Sequence, residues 1–380
     1  MSKRLGHPLV ISALVGLVVL LPIAGLAALP RWTLDLVAFG RPGEGFQPAS
    51  WSPDGTRFIF QQVNHFYVVR VGDQAVVRVS YGNWPAWVDN DTIDSLQYTG
   101  PLSSQLNRIT VSTGRTTTIV QKLGGVTLVG RGVVDLAATG NFETTIIDPV
   151  DGRKIAYLPG IRAFDWLRPG VLIGETSTFD SPPGLPPVSL IVWTLRDGAR
   201  AIGPGLKQAR DLFAYSPAGD AIACVCTAAD APPGNPPRGI YRVPIDGSAA
   251  TRLAEVAAGS FNGDPVVSWF DDGSIVFLDG AGLHRIGPNG ANTTIPVDPG
   301  DLPAKELHGR AFRFGNAIAL ASQLVNTATI GMSKLTIMGL SGEVGYRQTF
   351  ETGTVGLTLD PARTQALIYA APQYFVLRHQ

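Results

Sequence analysis

The sequence predicts an all-β fold: a single β-propeller of eight four-stranded blades, with seven as the alternative, preceded by one transmembrane helix. Three observations predict it. A Gly-centred hairpin recurs along the chain, a Pro/Asp/Gly turn precedes several of those hairpins, and 44 Gly and 29 Pro in 380 residues suit many short strands joined by turns. The length exceeds that of most single domains, but radial repeats escape the usual limit because each unit carries its own core. Net formal charge is zero and only 16% of residues are charged. The 30 basic residues include six scattered Lys and form no stripe, so the electrostatic footprint of nucleic-acid binding is absent.

At the N-terminus, Lys3 and Arg4 precede an apolar run from Leu9 to Leu29, broken only by small residues, Ser12 and Pro22. Twenty-one residues at ~1.5 Å rise span ~30 Å, one hydrocarbon thickness. The small-residue exit of a cleavable signal is poor: Leu29 and Pro30 follow Ala27-Ala28, and only Gly25-Leu26-Ala27 fits loosely. The expectation is a cytoplasmic segment 1–8, a signal anchor 9–29 and a propeller 32–380 on the extracytoplasmic side. Lys3, Arg4 and the α-amine outweigh Arg31, which sets that orientation.

The hairpin is an apolar strand, a short turn, and a strand with polar alternation. It spans 66–79 around Gly72, 108–119 around Gly114, 144–156 around Asp151-Gly152, and 190–202 around Asp197-Gly198. It returns at 240–253 around Asp246-Gly247, 283–297 around Asn289-Gly290, and 335–348 around Gly342. Such turns need positive φ, hence Gly. A spacing of roughly 40 to 50 residues leaves room for four strands per unit.

The preceding turn reads Trp51-Ser52-Pro53-Asp54-Gly55 in blade 1, Tyr215-Ser216-Pro217-Ala218-Gly219 in blade 5, and Trp269-Phe270-Asp271-Asp272-Gly273 in blade 6. A worn copy reads Leu359-Asp360-Pro361-Ala362-Arg363. Pro pre-sets the turn, Asp caps it and Gly supplies positive φ. An apolar run, the buried second strand, follows each. This pairing resembles the TolB-like, WD40-related (PD40-type) propeller repeat, from Trp32 to the end, strongly in blades 1, 5 and 6 and weakly in blades 2 to 4. The resemblance implies a propeller whose relatives bind proteins, peptides or small ligands, many of them without catalysis. Residues 147–157 are similar to the repeat of eight-bladed quinoprotein-like propellers but lack its closing Trp, which leaves a fold analogy only.

At the C-terminus, 355–359, 365–370 and 374–378 make three strands with no fourth, and 33–39 is an orphan strand at the N-terminus. Pairing the orphan with the last blade removes both free edges. First-to-second and third-to-fourth turns then share one face, the membrane-proximal one, and the other loops share the exported face.

Two second-to-third loops carry the pattern Pro-Pro-Gly-x-Pro-Pro: Pro182, Pro183, Leu185 and Pro186 in one, Pro232, Pro233, Asn235 and Pro236 in the next blade. Pro-rich segments lose little entropy on binding, so these residues are candidate partner contacts; a rigid cap on a long hairpin is the plainer reading. Trp84 and Trp87 are candidate aromatic anchors, unless they fill the gap between blades. Asp89, Asn90, Asp91 and Asp94 form an acidic cluster of the kind that exported proteins use for calcium, but the twelve-residue calcium loop is absent and an Asn-Asp turn explains the sequence as well. Cys224 and Cys226, on one strand face at ~7 Å between Cα atoms, are expected as small buried hydrophobes too distant for a disulfide. The five His show no metal-ligand spacing, and no catalytic motif occurs. The expectation is a membrane-anchored interaction scaffold or accessory subunit with protein partners in the cell envelope, no metal and no other cofactor. The alternatives are an exported lactonase-like or sugar-acting propeller enzyme, or a small-ligand sensor, with the site at the axial channel.

Overall fold

Runs of β-branched and aromatic residues, each stopped by Gly, Asp or Pro, form thirty-two short strands among the described residues of the computed structural model. It describes residues 32–379 apart from 40–45, 63–64, 101–102, 124–126, 130–132, 136–142, 149–150, 169, 177–181, 229–237, 258–266, 305–308, 327–330, 353–354 and 371–372. Antiparallel ladders join the strands into eight four-stranded sheets. Seven of them, at 46–81, 83–123, 127–159, 161–204, 206–255, 267–294 and 309–350, are simple meanders. The eighth takes 355–379 and adds the strand Trp32–Phe39 from the N-terminus, antiparallel to Gln373–His379, with Trp32 opposite His379. These sheets are called blades 1 to 8. Residues 83–204, the weak part of the repeat, hold three separate sheets, the thinnest of them beginning with the three-residue strands Thr127–Val129 and Val133–Asp135.

The core lies between the blades. Each of the eight seams holds one apolar cluster. Trp51, Phe58, Phe60, Leu367, Tyr374 and Val376 close blade 8 on blade 1, and Phe314, Leu335, Ile337, Ile368 and Leu377 join blade 7 to blade 8. The expectation that each unit carries its own core is thereby corrected: every blade buries its faces against its two neighbours, and the ring of seams lets the chain exceed the usual single-domain length.

One face is knitted by its turns. The amide that opens a third-to-fourth turn donates to a first-to-second turn carbonyl in three blades: Val71 N to Thr56 O at 3.0 Å, Val111 N to Asp91 O at 2.8 Å, and Ile245 N to Asp220 O at 2.8 Å. Trp32 begins on this face too, because it pairs at the His379 end, where Gln365 and Arg378 flank the 360–364 turn.

The cysteine expectation is overturned. Cys224 and Cys226 are joined by a disulfide, with Cα atoms 5.7 Å apart, inside the range such a bond accepts. The reason lies in the ladder. Cys226 pairs with Gln208 and Cys224 with Phe213, so four residues are looped out of the partner strand beside Val225, and the ladder is interrupted where the two thiols meet. Both residues are fully buried in the seam of blades 4 and 5. The expected segments 1–8 and 9–29 lie outside the described residues, among which no helix is long and apolar enough to cross a membrane.

Candidate functional site

The loop after Val171–Thr176 in blade 4 is the candidate site that the structure displays best. Leu185 N donates to Pro182 O at 3.0 Å, with Pro183 and Gly184 (φ +85°) at the two central positions. That is the type II turn, which wants Pro first and Gly second. The segment is therefore a turn and not a polyproline helix, a refinement of the expectation. Past the turn, the buried Thr176 hydroxyl donates to Pro186 O at 2.9 Å and accepts from Ser189 N at 2.9 Å. Between these two bonds Val188 is held at φ +51°. A β-branched side chain in the left-handed region is strained by about 1–2 kcal/mol.

These contacts sort the predicted residues. Pro183 and Pro186 are exposed, as are Gly184 and Pro187. Leu185 instead packs back on the cluster of Ile146, Ile161, Leu172 and Trp193 and anchors the loop to the seam of blades 3 and 4. Pro182 is half-buried. The second loop, with Pro232, Pro233, Asn235 and Pro236, lies outside the described residues, between Ala221–Ala228 and Arg238–Pro244 of the adjacent blade.

Trp87 is buried against Ile59, Phe66 and Ile109 and donates its indole N–H to Ser50 O at 3.1 Å across the seam of blades 1 and 2. It fills the gap between blades and is not a surface anchor. Trp84 lies in the same strand, Asn83–Trp87, and its side chain is outside the described positions. The acidic cluster is a network of turns and ion pairs. Asp94 is buried in a two-point contact with Arg108, both at 2.9 Å, and burial raises its pKa against that pairing. Asp91 accepts from the Ser112 hydroxyl at 2.5 Å and meets Arg57 at 3.4 Å, and the Ser112 bond holds its pKa down. Asp89 accepts from Asp91 N, and Asn90 from Asp54 N. Among the described residues, no three His, Cys, Asp or Glu are grouped to hold a metal ion.

On the turn face, two clefts flank blade 5. One, of about 630 Å³, is lined by Arg200, Asp220, Arg242 and Asp246; the other, of about 410 Å³, by Arg242, Trp269, Asp271 and Asp272. Their charges are matched internally: Arg242 pairs with Asp220 at 2.9 Å, and Arg285 with Asp272 at 2.7 Å. The hydroxyl of Ser216 holds the Asp220 pKa down, and that of Ser248 does the same for Asp246.

Three features escaped sequence reasoning. Asp301, in the crossover from blade 6 to blade 7, is buried under Arg347 (2.7 Å) and Lys334 (3.1 Å). Asp279 is buried on His284 Nε2 at 2.9 Å. These partners lie 33 and 46 residues from Asp301 and 5 from Asp279, at spacings that mark no motif. The third, Arg363, stands where the other turns have Gly, and superposing the quoted repeats would have shown it.

No family model matches this chain, and no curated protein does. Among solved structures, it is similar to a eukaryotic initiation factor over 90% of this chain and 87% of that one, at 12% identity and a TM-score of 0.53. It also matches an oligogalacturonate lyase in complex with manganese (12% identity, 92% and 98% covered, TM-score 0.47) and a chain of a mitotic checkpoint complex (10%, 92% and 93%, 0.47). At such identities the first likeness concerns the fold alone, and with the ring of antiparallel meanders it makes the chain a single all-β propeller.

Proposed function

We propose that this chain is a TolB-like propeller, held at the extracytoplasmic side of a membrane by residues 9–29, that presents its second-to-third loops to protein partners in the cell envelope. The observation that carries the reading is the Pro182–Val188 loop. Its exposed prolines are already fixed by a turn, a buried hydroxyl and an apolar anchor, so little entropy remains to be lost on binding. Val188 keeps a strained backbone that a Gly would relax, and strain of this kind clusters where structure serves binding. The start of the strand Trp32–Phe39 on the turn face supports the orientation, since the apolar segment precedes it by only a few residues and leaves the loop face turned away from the bilayer.

The test is purification of the full-length protein from membranes in mild detergent, beside a variant with 180–187 and 230–237 replaced by short Gly-Ser turns. Stoichiometric partners that accompany the native chain and leave the variant are the expected result. A native chain that purifies alone, or partners indifferent to the trimming, overturns the reading. Extraction of the chain by alkaline carbonate overturns the anchor.

A further inference from the structure

Blade 8 breaks its own repeat at one position. In the turns of blades 1, 5 and 6, the fourth residue donates its amide to the first residue's carbonyl: Gly55 to Ser52, Gly219 to Ser216 and Gly273 to Phe270, at 2.9 to 3.0 Å, with φ of +68°, +68° and +82°. In blade 8 the same bond runs from Arg363 to Asp360 at 2.9 Å, and φ is +57°. The turn is thus unchanged and the residue is less suited to it than the Gly of the other three, for an L side chain there crowds its own carbonyl.

The side chain is as unusual as the backbone. Burial, and then the neighbouring Arg313 charge, push the Arg363 pKa below its ordinary value, with Asp271 acting in the opposite direction. Arg313 is fully occupied, by Gly315 O at 2.9 Å, Trp269 O at 3.3 Å and the Asp271 carboxylate, and it lies over the Phe270 ring. Among the described residues no protein group accepts a hydrogen bond from the Arg363 guanidinium. Asp271 is hydrogen-bonded to Arg313, which leaves the planar fork of five donors on Arg363, a geometry built for oxyanions, with no hydrogen-bonded carboxylate of its own among the described residues.

Location narrows the ligand. The Arg363 carbonyl lies 3.7 Å from where a Cβ on Gly315 would stand. Phe314, the preceding residue, stacks on Trp32 with ring centroids 5.1 Å apart. Arg363 therefore sits beside the point where the propeller chain meets the apolar N-terminal segment. We propose that Arg363, backed by Arg313, binds one monoanionic phosphodiester, supplied by the headgroup of a phospholipid at the bilayer surface. That choice of source rests on the membrane-anchored reading above; the oxyanion site does not.

Calorimetric titration of the full-length protein, in a neutral detergent at low salt, tests it. The probes are dihexanoylphosphatidylglycerol, dihexanoylphosphatidylcholine and inorganic phosphate, applied to the native chain, R363G and R363K. The native chain is expected to prefer the phosphatidylglycerol. R363G should weaken it about tenfold or more, as loss of a charge-assisted contact does, and R363K less. Because Gly suits the turn, R363G should also raise the melting midpoint by about 1–2 °C. A lowered midpoint would make Arg363 a structural residue and overturn the site, as would unchanged affinity in R363G. Inorganic phosphate binding as tightly as the lipid, with the same loss in R363G, would overturn the bilayer as its source. Loss of the carbonate-resistant anchor with R363G-sensitive lipid binding intact would remove the anchored reading and leave the site.

Discussion

Thr176→Val removes one hydroxyl and almost nothing else, and it strikes the point on which the blade 4 loop depends. Val has the shape of Thr, so the buried pocket stays filled. What is lost is the bond to Pro186 O and the bond from Ser189 N, both 2.9 Å. Pro186 is exposed and its carbonyl can turn to water, whereas Ser189 is buried and its amide is left unpaired. An unpaired buried donor costs about 1–3 kcal/mol. Most of that should appear locally, as easier opening of the 182–188 turn, because Leu185 and the seam below it are untouched. The Leu185 amide, bonded to Pro182 O, reports this opening. At ~1.4 kcal/mol per decade its hydrogen exchange should quicken about 5- to 100-fold. Exchange within twofold of native would show that the hydroxyl does not hold the loop and would remove the basis for calling the prolines pre-organised. T176S, which keeps the hydroxyl, should restore most of the protection.

Two further outcomes follow from the buried charges and the sulfurs. The Asp301 pKa is lowered: burial alone would raise it, but the hydrogen bonds and charges of Arg347 and Lys334 outweigh that. A depressed folded pKa gives stability above the unfolded value, ~4, that is lost as pH falls through the folded one. D301N should therefore cost about 1–3 kcal/mol at pH 7, below the cost for a fully buried pair because Arg347 is 45% exposed. In denaturant titrations the gap to native should shrink at pH 3, and a gap of equal size there would rule out the ion pairs as its source. For Cys224 and Cys226, maleimide after unfolding should add no label without reductant and two labels with it; two labels without reductant would show a dithiol.

The fold was legible because the repeat is written in turn chemistry. Gly55, Gly219 and Gly273 mark left-handed positions that few other residues tolerate, and the orphan strand at the N-terminus has one place to pair. The disulfide was hidden for a local reason. Its Cα separation depends on an irregularity in the neighbouring strand at 209–212, and strand periodicity alone assigns the two cysteines the spacing of a regular ladder. Trp87 shows the limit for aromatics. Its place at the junction between two blades was readable, but whether the indole turns to solvent or into the seam depends on Ser50, 37 residues earlier. The ion cluster on Asp301 is invisible for the same cause: its partners come from two outer strands that only the closed ring brings over the crossover.

A repeat protein also supplies its own control, because an equivalent turn in another blade shows what the backbone needs when nothing else is asked of it. Three non-glycine residues hold positive φ among the described positions: Gln74, Val188 and Arg363. Gln74 is an unbranched, exposed residue at a hairpin tip, and a bond from Ala75 N to Asp73 supports that turn, so its conformation has a local explanation. Val188 has none of that kind, whereas at Arg363 the Thr364 amide bonds the Asp360 carboxylate at 2.7 Å and supports the turn in the same way. One is β-branched and clamped between two bonds to a buried threonine; the other is a partly desolvated cation in a position that its sister blades give to glycine. They fall on opposite faces of the disk, Val188 beside the exposed prolines and Arg363 beside Trp32. The proposed partner contact at the Val188 loop and the proposed headgroup site at Arg363 would therefore engage the propeller from its two opposite faces, and the two sets of variants test them independently.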